Sequence, residues 1–208
     1  MIRTPIFIKR LFFNQIWSLT NSNNVVYLTF DDGPMPGITD WVLNLLEHEN
    51  IKVTFFCIGD NIRKHPDTFK KIIHGGHSIG NHTFNHLNGW KTSTANYIEN
   101  VYLFETEQAK LILPSSKLFR PPYGKITLSQ SKKIRKLGYK IIMWTILSKD
   151  YDSKVSKVQC VENVLKNTKS GDIIVFHDSI KASENLKFAL PIIIKELKNK
   201  GFRFDVLH

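Results

Sequence analysis

The sequence has few cysteines, no long apolar run and no low-complexity tract, and each absence excludes a class of protein. Two cysteines in 208 residues, Cys57 and Cys160, do not make a disulfide framework, and neither has a close Cys or His neighbour that would complete a metal site. No Lys/Arg block interleaved with aromatic residues marks a nucleic-acid surface. Because there is also no internal repeat and no linker, we expect one domain with a full core.

The first 24 residues combine apolar clusters with positive charge. Two apolar triplets, at 6–8 and 11–13, flank Lys9 and Arg10. The segment lacks a small-residue cleavage site and is too short to span a membrane. We therefore expect residues 1–24 to pack on a domain formed by residues 25–208, with a peripheral membrane anchor as the alternative. Without a clear signal peptide the expected compartment is the cytoplasm, with a peripheral or exported location as the alternative.

The chain is strongly basic, with 29 Lys and Arg against 18 Asp and Glu and a formal net charge of +11. The positive residues are mostly lysines scattered over the whole length, which is typical of a solvated surface. Attraction to an anionic polymer, such as a bacterial wall, is the sharper alternative. The composition does not determine the oligomeric state.

Strand and helix patterns alternate about seven times along the chain. Short apolar runs bounded by turn residues predict buried strands at 25–28, 52–58 and 138–146, among others, and the segments between them have helical spacing. Polar clusters follow five of the strands and would converge on the carboxyl-terminal rim of an α/β barrel. We predict a single-domain α/β fold, a distorted (β/α) barrel of about seven parallel strands, with a doubly wound open sheet as the alternative.

Two adjacent carboxylates, Asp31 and Asp32, stand at the end of the first predicted strand. Burying two adjacent carboxylates is energetically costly unless a cation lies beside them. A metal ion bound by one of them, with the other acting as a base, would explain why both are present. His82 and His86 are spaced to share an ion if they lie on a helical turn. Two histidines and one carboxylate would leave a coordination position open for water, as in catalytic sites.

Each of these residues also has a structural interpretation. His77 is the main alternative ligand, although it stands at the start of a strand. Considered alone, Arg120 would be interpreted as part of a surface salt bridge. Asp150 lies in a polar run that also contains Asp152, so either carboxylate could be the functional one. His177-Asp178 could be a helix-capping turn.

Five segments, each after a predicted strand, run in a fixed order: Thr29-Phe30-Asp31-Asp32-Gly33, His82-Thr83-x-x-His86, Arg120-Pro121-Pro122-Tyr123-Gly124, Asp150-Tyr151 and Val175-Phe176-His177. In these segments the chain resembles the polysaccharide deacetylase family, the NodB-homology domain of carbohydrate esterase family 4, over residues 25–204. The fourth segment departs from the family pattern. Tyr151 replaces the usual tryptophan, and no acidic residue lies between Trp144 and Asp150.

The resemblance implies a divalent metal held by Asp32, His82 and His86. The ion is most often zinc, with cobalt, nickel or manganese as alternatives. Asp31 would be the catalytic base, and Arg120 would pair with it and keep it ionised.

The resemblance also implies roles for residues later in the chain. His177 would be the general acid, oriented by Asp150, and the Tyr123 backbone N–H would bind the oxyanion. Tyr123, Trp144 and Tyr151 would contact the substrate.

The implied activity is metal-dependent hydrolysis of N-acetyl groups on N-acetylglucosamine units of a glycan, of peptidoglycan or chitin type. O-deacetylation of xylan and hydrolysis of a small amide by the same residues are alternatives. A glycan-binding protein without catalysis is the alternative of a different class. The expected partner is an acetylated glycan, with no nucleic acid and no transmembrane helix.

Overall fold

The computed structural model describes residues 2–20, 23–113 and 117–208, so Met1 and residues 21–22 of the expected N-terminal segment lie outside the described residues. The helices are α1 (Ile6–Leu11), α2 (Ile38–His48), α3 (Gly59–Lys64), α4 (Pro66–His74), α5 (Thr94–Ala109), α6 (Leu128–Lys136), α7 (Lys157–Leu165) and α8 (Ser183–Asn199). The strands are β1 (Val25–Asp31), β2 (Thr54–Cys57), β3 (Ser78–Asn81), β4 (Leu118–Phe119), β5 (Lys140–Ile141), β6 (Ile146–Leu147), β7 (Ile173–His177) and β8 (Arg203–Phe204). No helix in the described ranges is long and apolar enough to cross a membrane.

The strands form one parallel sheet in the order β5-β4-β3-β2-β1-β7-β6, and β8 pairs with the start of β1. The central strands β1, β2 and β7 are mostly apolar and are buried along almost their whole length, because helices cover the sheet. Phe30 of β1 lies between Phe55 of β2, at 5.2 Å between ring centroids, and Phe176 of β7, at 5.9 Å. These rings tie the three central strands together in the core.

The two edge strands of the sheet, β5 and β6, are consecutive in the chain, and only residues 142–145 separate them. Such a link spans at most about 17 Å, whereas a flat sheet of seven strands is about 29 Å wide. The sheet must therefore curl until its edges approach each other. The predicted (β/α) barrel is confirmed in this partly closed form, and the alternative of an open doubly wound sheet is wrong.

The single strand predicted over 138–146 is two strands, because the backbone changes its hydrogen-bond partners at the gap. The Ile142 N–H bonds to Phe119 in β4, whereas the Thr145 N–H bonds to Ile173 in β7. The buried guanidinium of Arg120 donates hydrogen bonds to the carbonyls of Ile142 and Met143, at 3.3 and 3.1 Å. The Arg120 side chain thus provides the hydrogen bonds that the backbone of a neighbouring strand would otherwise provide.

The N-terminal segment lies across this gap. The Ile16 N–H bonds to the Ile141 carbonyl at 2.8 Å, and the Thr4 N–H bonds to the Thr145 carbonyl at 2.9 Å. Arg3 forms an ion pair with Asp172, just before β7, at 2.6 Å. Residues 2–20 therefore contact both edges of the curled sheet.

Candidate active site

A cavity of about 630 Å³ opens at the carboxyl ends of the strands. Its lining includes most of the residues singled out in the sequence: Asp31, Asp32, His82, His86, Tyr123, Trp144, Tyr151 and His177. Arg120 and Asp150 are almost fully buried and bond to residues of this lining. The parallel register explains the convergence, since every strand ends at the same rim.

Asp32, His82 and His86 come together, with one ligand atom of each within 4.8 Å of the others. Asp32 Oδ1 lies 3.3 Å from His86 Nε2 and 3.8 Å from His82 Nε2. The histidines are not on a helical turn as their spacing suggested. They lie in a loop after β3, in which Thr83 and His86 have φ angles of 63° and 54°.

This loop is shaped by two asparagine side chains rather than by a helix. Asn81 Oδ1 accepts the N–H of Thr83 at 2.8 Å, and Asn100 of α5 accepts the N–H of Asn85 at 2.8 Å. These bonds satisfy backbone donors that a helix would otherwise satisfy, and they support the uncommon positive φ of Thr83.

The chemistry of the three side chains suits a divalent cation. Within the described residues Asp32 Oδ1 is buried and has no hydrogen-bond partner, which is costly for a carboxylate unless a cation approaches it. His82 Nδ1 bonds to the Arg120 carbonyl at 2.8 Å, which leaves Nε2 with a lone pair facing Asp32. Burial lowers the pKa of both His82 and His86, so the rings are neutral and can act as ligands.

Asp31 is held by a buried guanidinium. Arg120 donates to Asp31 Oδ1 and to Thr29 Oγ1, each at 2.7 Å, and both charged side chains are nearly inaccessible to water. The Arg120 guanidinium also lies over the ring of Phe56, 4.1 Å from its centroid. The alternative of a surface salt bridge for Arg120 is therefore wrong, and the buried pair with Asp31 lies behind the cavity.

His177 lies opposite Asp31 in the register of β1 and β7 and contacts Asp150. The Asp150 carboxylate accepts from His177 Nδ1 at 2.8 Å and from the His177 backbone N–H at 2.7 Å. Burial alone would lower the pKa of His177, but the Asp150 carboxylate and its hydrogen bond raise it to about 9. Asp152, the competing acid, instead accepts the Lys154 N–H at the surface.

Asp178 has a position that the sequence did not reveal. It does not cap a helix, but accepts the Gly33 N–H at 3.0 Å and the Thr39 hydroxyl at 2.5 Å. A Cβ at Gly33 would lie 2.0 Å from Asp178, so the turn after Asp32 needs glycine. Burial raises the pKa of Asp178 to about 8. No local pattern marks this link, since Gly33 and Asp178 are far apart in the chain.

Three other side chains line the cavity where a substrate would enter. Tyr123, at a φ of 60°, packs on His86 with ring centroids 4.5 Å apart and is 59% exposed. Tyr151 lies edge-on to His177 at 4.8 Å, and Trp144 forms the wall beside Gly124.

His77, the alternative ligand, is absent from the cavity. Its Nδ1 accepts the Val53 N–H at 3.2 Å, and its ring packs against Phe55 near the amino ends of the strands. Burial lowers the pKa of His77 to about 4, which is consistent with a neutral structural histidine. The two cysteines are buried and free, as their spacing predicted.

Comparison with known proteins gives consistent matches. A family profile described as polysaccharide deacetylase matches residues 18–142. The chain is 36% identical to a peptidoglycan-N-acetylglucosamine deacetylase of Bacillus cereus over 189 residues, which make up 90% of this chain and 88% of the relative.

Two solved structures share the fold. One is a peptidoglycan N-acetylglucosamine deacetylase in complex with 4-naphthalen-1-yl-N-oxidanyl-benzamide; the TM-score is 0.90 at 34% identity, over 98% of this chain and 95% of the other. The second is the Xyl-CE4 domain of a multidomain xylanase from the hindgut metagenome of Trinervitermes trinervoides; the TM-score is 0.81 at 30% identity, over 89% of this chain and 88% of the other.

Proposed function

The chain belongs to the polysaccharide deacetylase family, and on that premise we propose that it removes N-acetyl groups from N-acetylglucosamine units of a peptidoglycan-type glycan. One observation carries the proposal. Asp31 and His177 face each other in the β1–β7 register, each is bound to a buried partner of opposite charge, and both line the cavity that contains Asp32. A base and an acid stand on neighbouring strands beside a cation site, as hydrolysis of an amide requires.

The cation would be held by Asp32, His82 and His86, and we propose zinc because two imidazoles and one carboxylate suit it. When bound, such an ion acidifies water by several pKa units and polarises a carbonyl oxygen. Asn61 supports the site by donating to the Asp32 carbonyl at 2.7 Å.

Asp31 would accept the proton of the attacking water. Arg120 pairs with Asp31 and fixes its orientation through a 2.7 Å bond, so the carboxylate is held in place to act as a base. We place the Tyr123 backbone N–H near the developing oxyanion, where one such donor contributes roughly 100- to 1,000-fold in rate.

His177 would donate a proton to the departing amine, which is a poor leaving group while neutral. Its pKa of about 9 keeps the ring protonated at neutral pH, and Asp150 holds the Nδ1 side so that Nε2 carries the transferable proton. This assignment of acid and base follows from the opposite charges of the two buried partners, Asp150 and Arg120.

An extended glycan fits the surroundings of the cavity better than a small amide does. Trp90 is 66% exposed, and its Nε1–H donates to the Ile126 carbonyl at 3.3 Å, three residues beyond Tyr123. The buried amide of Gln130 holds this loop by donating to the carbonyls of Gly89 and Thr92. An exposed aromatic ring held in a fixed position near the loop that carries Tyr123 provides a face for a sugar ring.

The proposal is tested by acetate release from purified protein, stripped of metal and then supplied with zinc. We expect release from N-acetylglucosamine oligomers or peptidoglycan fragments, and none from Asp31→Asn, which retains the shape of the side chain. Release from acetylated xylan alone would replace the proposal by O-deacetylation, for which the similarity to the Xyl-CE4 domain is the supporting observation. Glycan binding without turnover, with zinc bound, would favour a binding protein.

A further inference from the structure

The N-terminal segment exposes an unusual group of large apolar side chains. Ile6 and Phe7 are each 66% exposed, Leu11 is 70% exposed and Phe13 is 77% exposed, and Phe12 between them is also exposed. Helix α1 has no buried residue at all. We call these five side chains the N-terminal apolar patch. Contiguous exposed apolar surface of this kind marks an interaction site, whereas single exposed apolar residues are normal.

The patch is held in place rather than loosely attached. Trp17, which is buried, donates its Nε1–H to the Phe12 carbonyl at 3.2 Å, and Thr4 donates its hydroxyl to the Trp144 carbonyl at 2.9 Å. Ile8 packs inward against the core while its neighbours point outward. A helix of six residues is marginal by itself, so these anchors are what fix α1.

All charged side chains of the N-terminal segment are positive. Arg3, Lys9 and Arg10 are its charged residues, and the first acidic residue of the whole sequence is Asp31. Arg3 is paired with Asp172, whereas Lys9 and Arg10 have no ion pair within the described part of the chain. Bulky apolar groups next to unpaired cations are the composition of segments that lie in the interface of anionic bilayers.

We propose that the N-terminal apolar patch, together with Lys9 and Arg10, binds the surface of a membrane that contains anionic lipids. The charge argues against a second copy of the chain as the occupant. A two-fold interface would place the same patch on both sides and bring Lys9 and Arg10 toward their own copies, whereas anionic headgroups complement them.

Part of the segment is anchored near the amino-terminal end of β7, whereas Thr4 bonds to the main chain of Trp144, whose side chain lines the cavity. Arg3 and Ser18 both contact Asp172, before the start of β7, whereas His177 stands at its carboxyl end, about 16 Å along the strand. The N-terminal apolar patch contributes no residue to the lining of the cavity, so we expect membrane binding to leave the cavity accessible to a glycan.

Co-sedimentation with vesicles of phosphatidylcholine, with and without phosphatidylglycerol, tests the proposal. We expect binding to the anionic vesicles that is at least about tenfold tighter than to neutral ones and that weakens in 0.5 M salt, because the Debye length falls to about 4 Å. The Phe7→Asp/Phe13→Asp variant should lose at least about tenfold in affinity, and Lys9→Glu/Arg10→Glu should lose the preference for anionic vesicles. Leu128→Asp, at a residue 79% exposed on α6, is the matched control and should bind as the parent does.

Unchanged melting temperature and unchanged acetate release from soluble oligomers would show that the variants are folded. The proposal is overturned if the parent does not bind anionic vesicles, if it binds neutral vesicles equally well, or if the aspartate variant binds like the parent. Concentration-dependent dimers in sedimentation velocity that the aspartate variant abolishes, without vesicle binding, would instead assign the patch to self-association.

Discussion

A single carboxylate, Asp150, holds both the side chain and the main chain of His177. Its Oδ1 accepts from the ring Nδ1 at 2.8 Å, and its Oδ2 accepts the backbone N–H at 2.7 Å. The ring orientation and the strand end are therefore fixed by one group. The same group raises the pKa of His177 to about 9, against the effect of burial. A substitution of Asp150 therefore tests the proposed role of His177 as the general acid.

Asp150→Asn should move the alkaline limb of the pH dependence of kcat/KM to lower pH. An acid must be protonated, so activity falls as pH rises through the pKa of His177, which is about 9 in the parent. Without the carboxylate we expect this pKa at or below the ordinary 6.5, and a loss of roughly 30-fold or more at pH 8. Asp152→Asn, which removes a carboxylate charge that does not contact His177, should leave the alkaline limb unchanged. A shift in Asp152→Asn, or none in Asp150→Asn, would contradict the assignment.

The raised pKa of His177 also predicts how the stability of the fold depends on pH. Because the folded-state pKa of about 9 exceeds the unfolded value, this contribution is fully present below about pH 6.5 and is lost as pH rises through 9. Urea unfolding between pH 6 and 10 should show the decline in the parent and a smaller one in Asp150→Asn. An identical decline in both would place its origin elsewhere.

Arg120→Met should lower the free energy of unfolding by about 3–5 kcal/mol, because it leaves Asp31 as an uncompensated buried charge. It also removes the donors to Ile142 and Met143, whose carbonyls lie at the gap between β5 and β6. Urea denaturation gives the value directly. The control is Arg63→Met, whose exposed pair with Asp60 should contribute less than about 1 kcal/mol. Equal losses in the two variants would show that burial of the Arg120 pair does not matter.

Zinc should bind to the metal-stripped protein with a stoichiometry of one and should raise its stability, by about 2.7 kcal/mol at a free concentration of 100 times Kd. Calorimetry and thermal unfolding measure this without any assay of activity. His86→Ala should abolish both effects, whereas His77→Ala should retain zinc binding because His77 lies outside the cavity. Zinc binding that survives His86→Ala would place the ion elsewhere.

Trp90→Ala should reduce activity on long oligomers and spare short ones. A dimer of N-acetylglucosamine is expected to occupy the cavity without reaching Trp90, whereas a pentamer can stack on it. We expect kcat/KM to fall about fivefold to tenfold for the pentamer, the equivalent of about 1 kcal/mol of stacking, and less than about twofold for the dimer. Tyr102→Ala, at a half-exposed tyrosine on α5, is the control. Equal losses for both lengths would show that Trp90 does not bind the outer sugar units of a long glycan.

The residues singled out in the local sequence come together around one cavity, but the local structure that carries them is not always the one expected. His82 and His86 are spaced as on a helix, yet they lie in a loop that depends on Asn81 and on Asn100, the latter fifteen residues beyond Asn85. The strand predicted over 138–146 is divided because Arg120 bonds to its carbonyls. In both cases a side chain fifteen or more residues away, Asn100 or Arg120, supplies a hydrogen bond that no periodicity records.

By itself, the sequence determined the alternation of parallel strands and helices, and with it the rim where the polar clusters meet, because apolar periodicity and turn residues act over a few positions. Only the tertiary structure decided that Asp150 rather than Asp152 contacts His177, and that Asp178 holds Gly33. It also decided that the apolar side chains of α1 face outward. These outcomes depend on contacts between distant segments, whose geometry exists only after the sheet has curled.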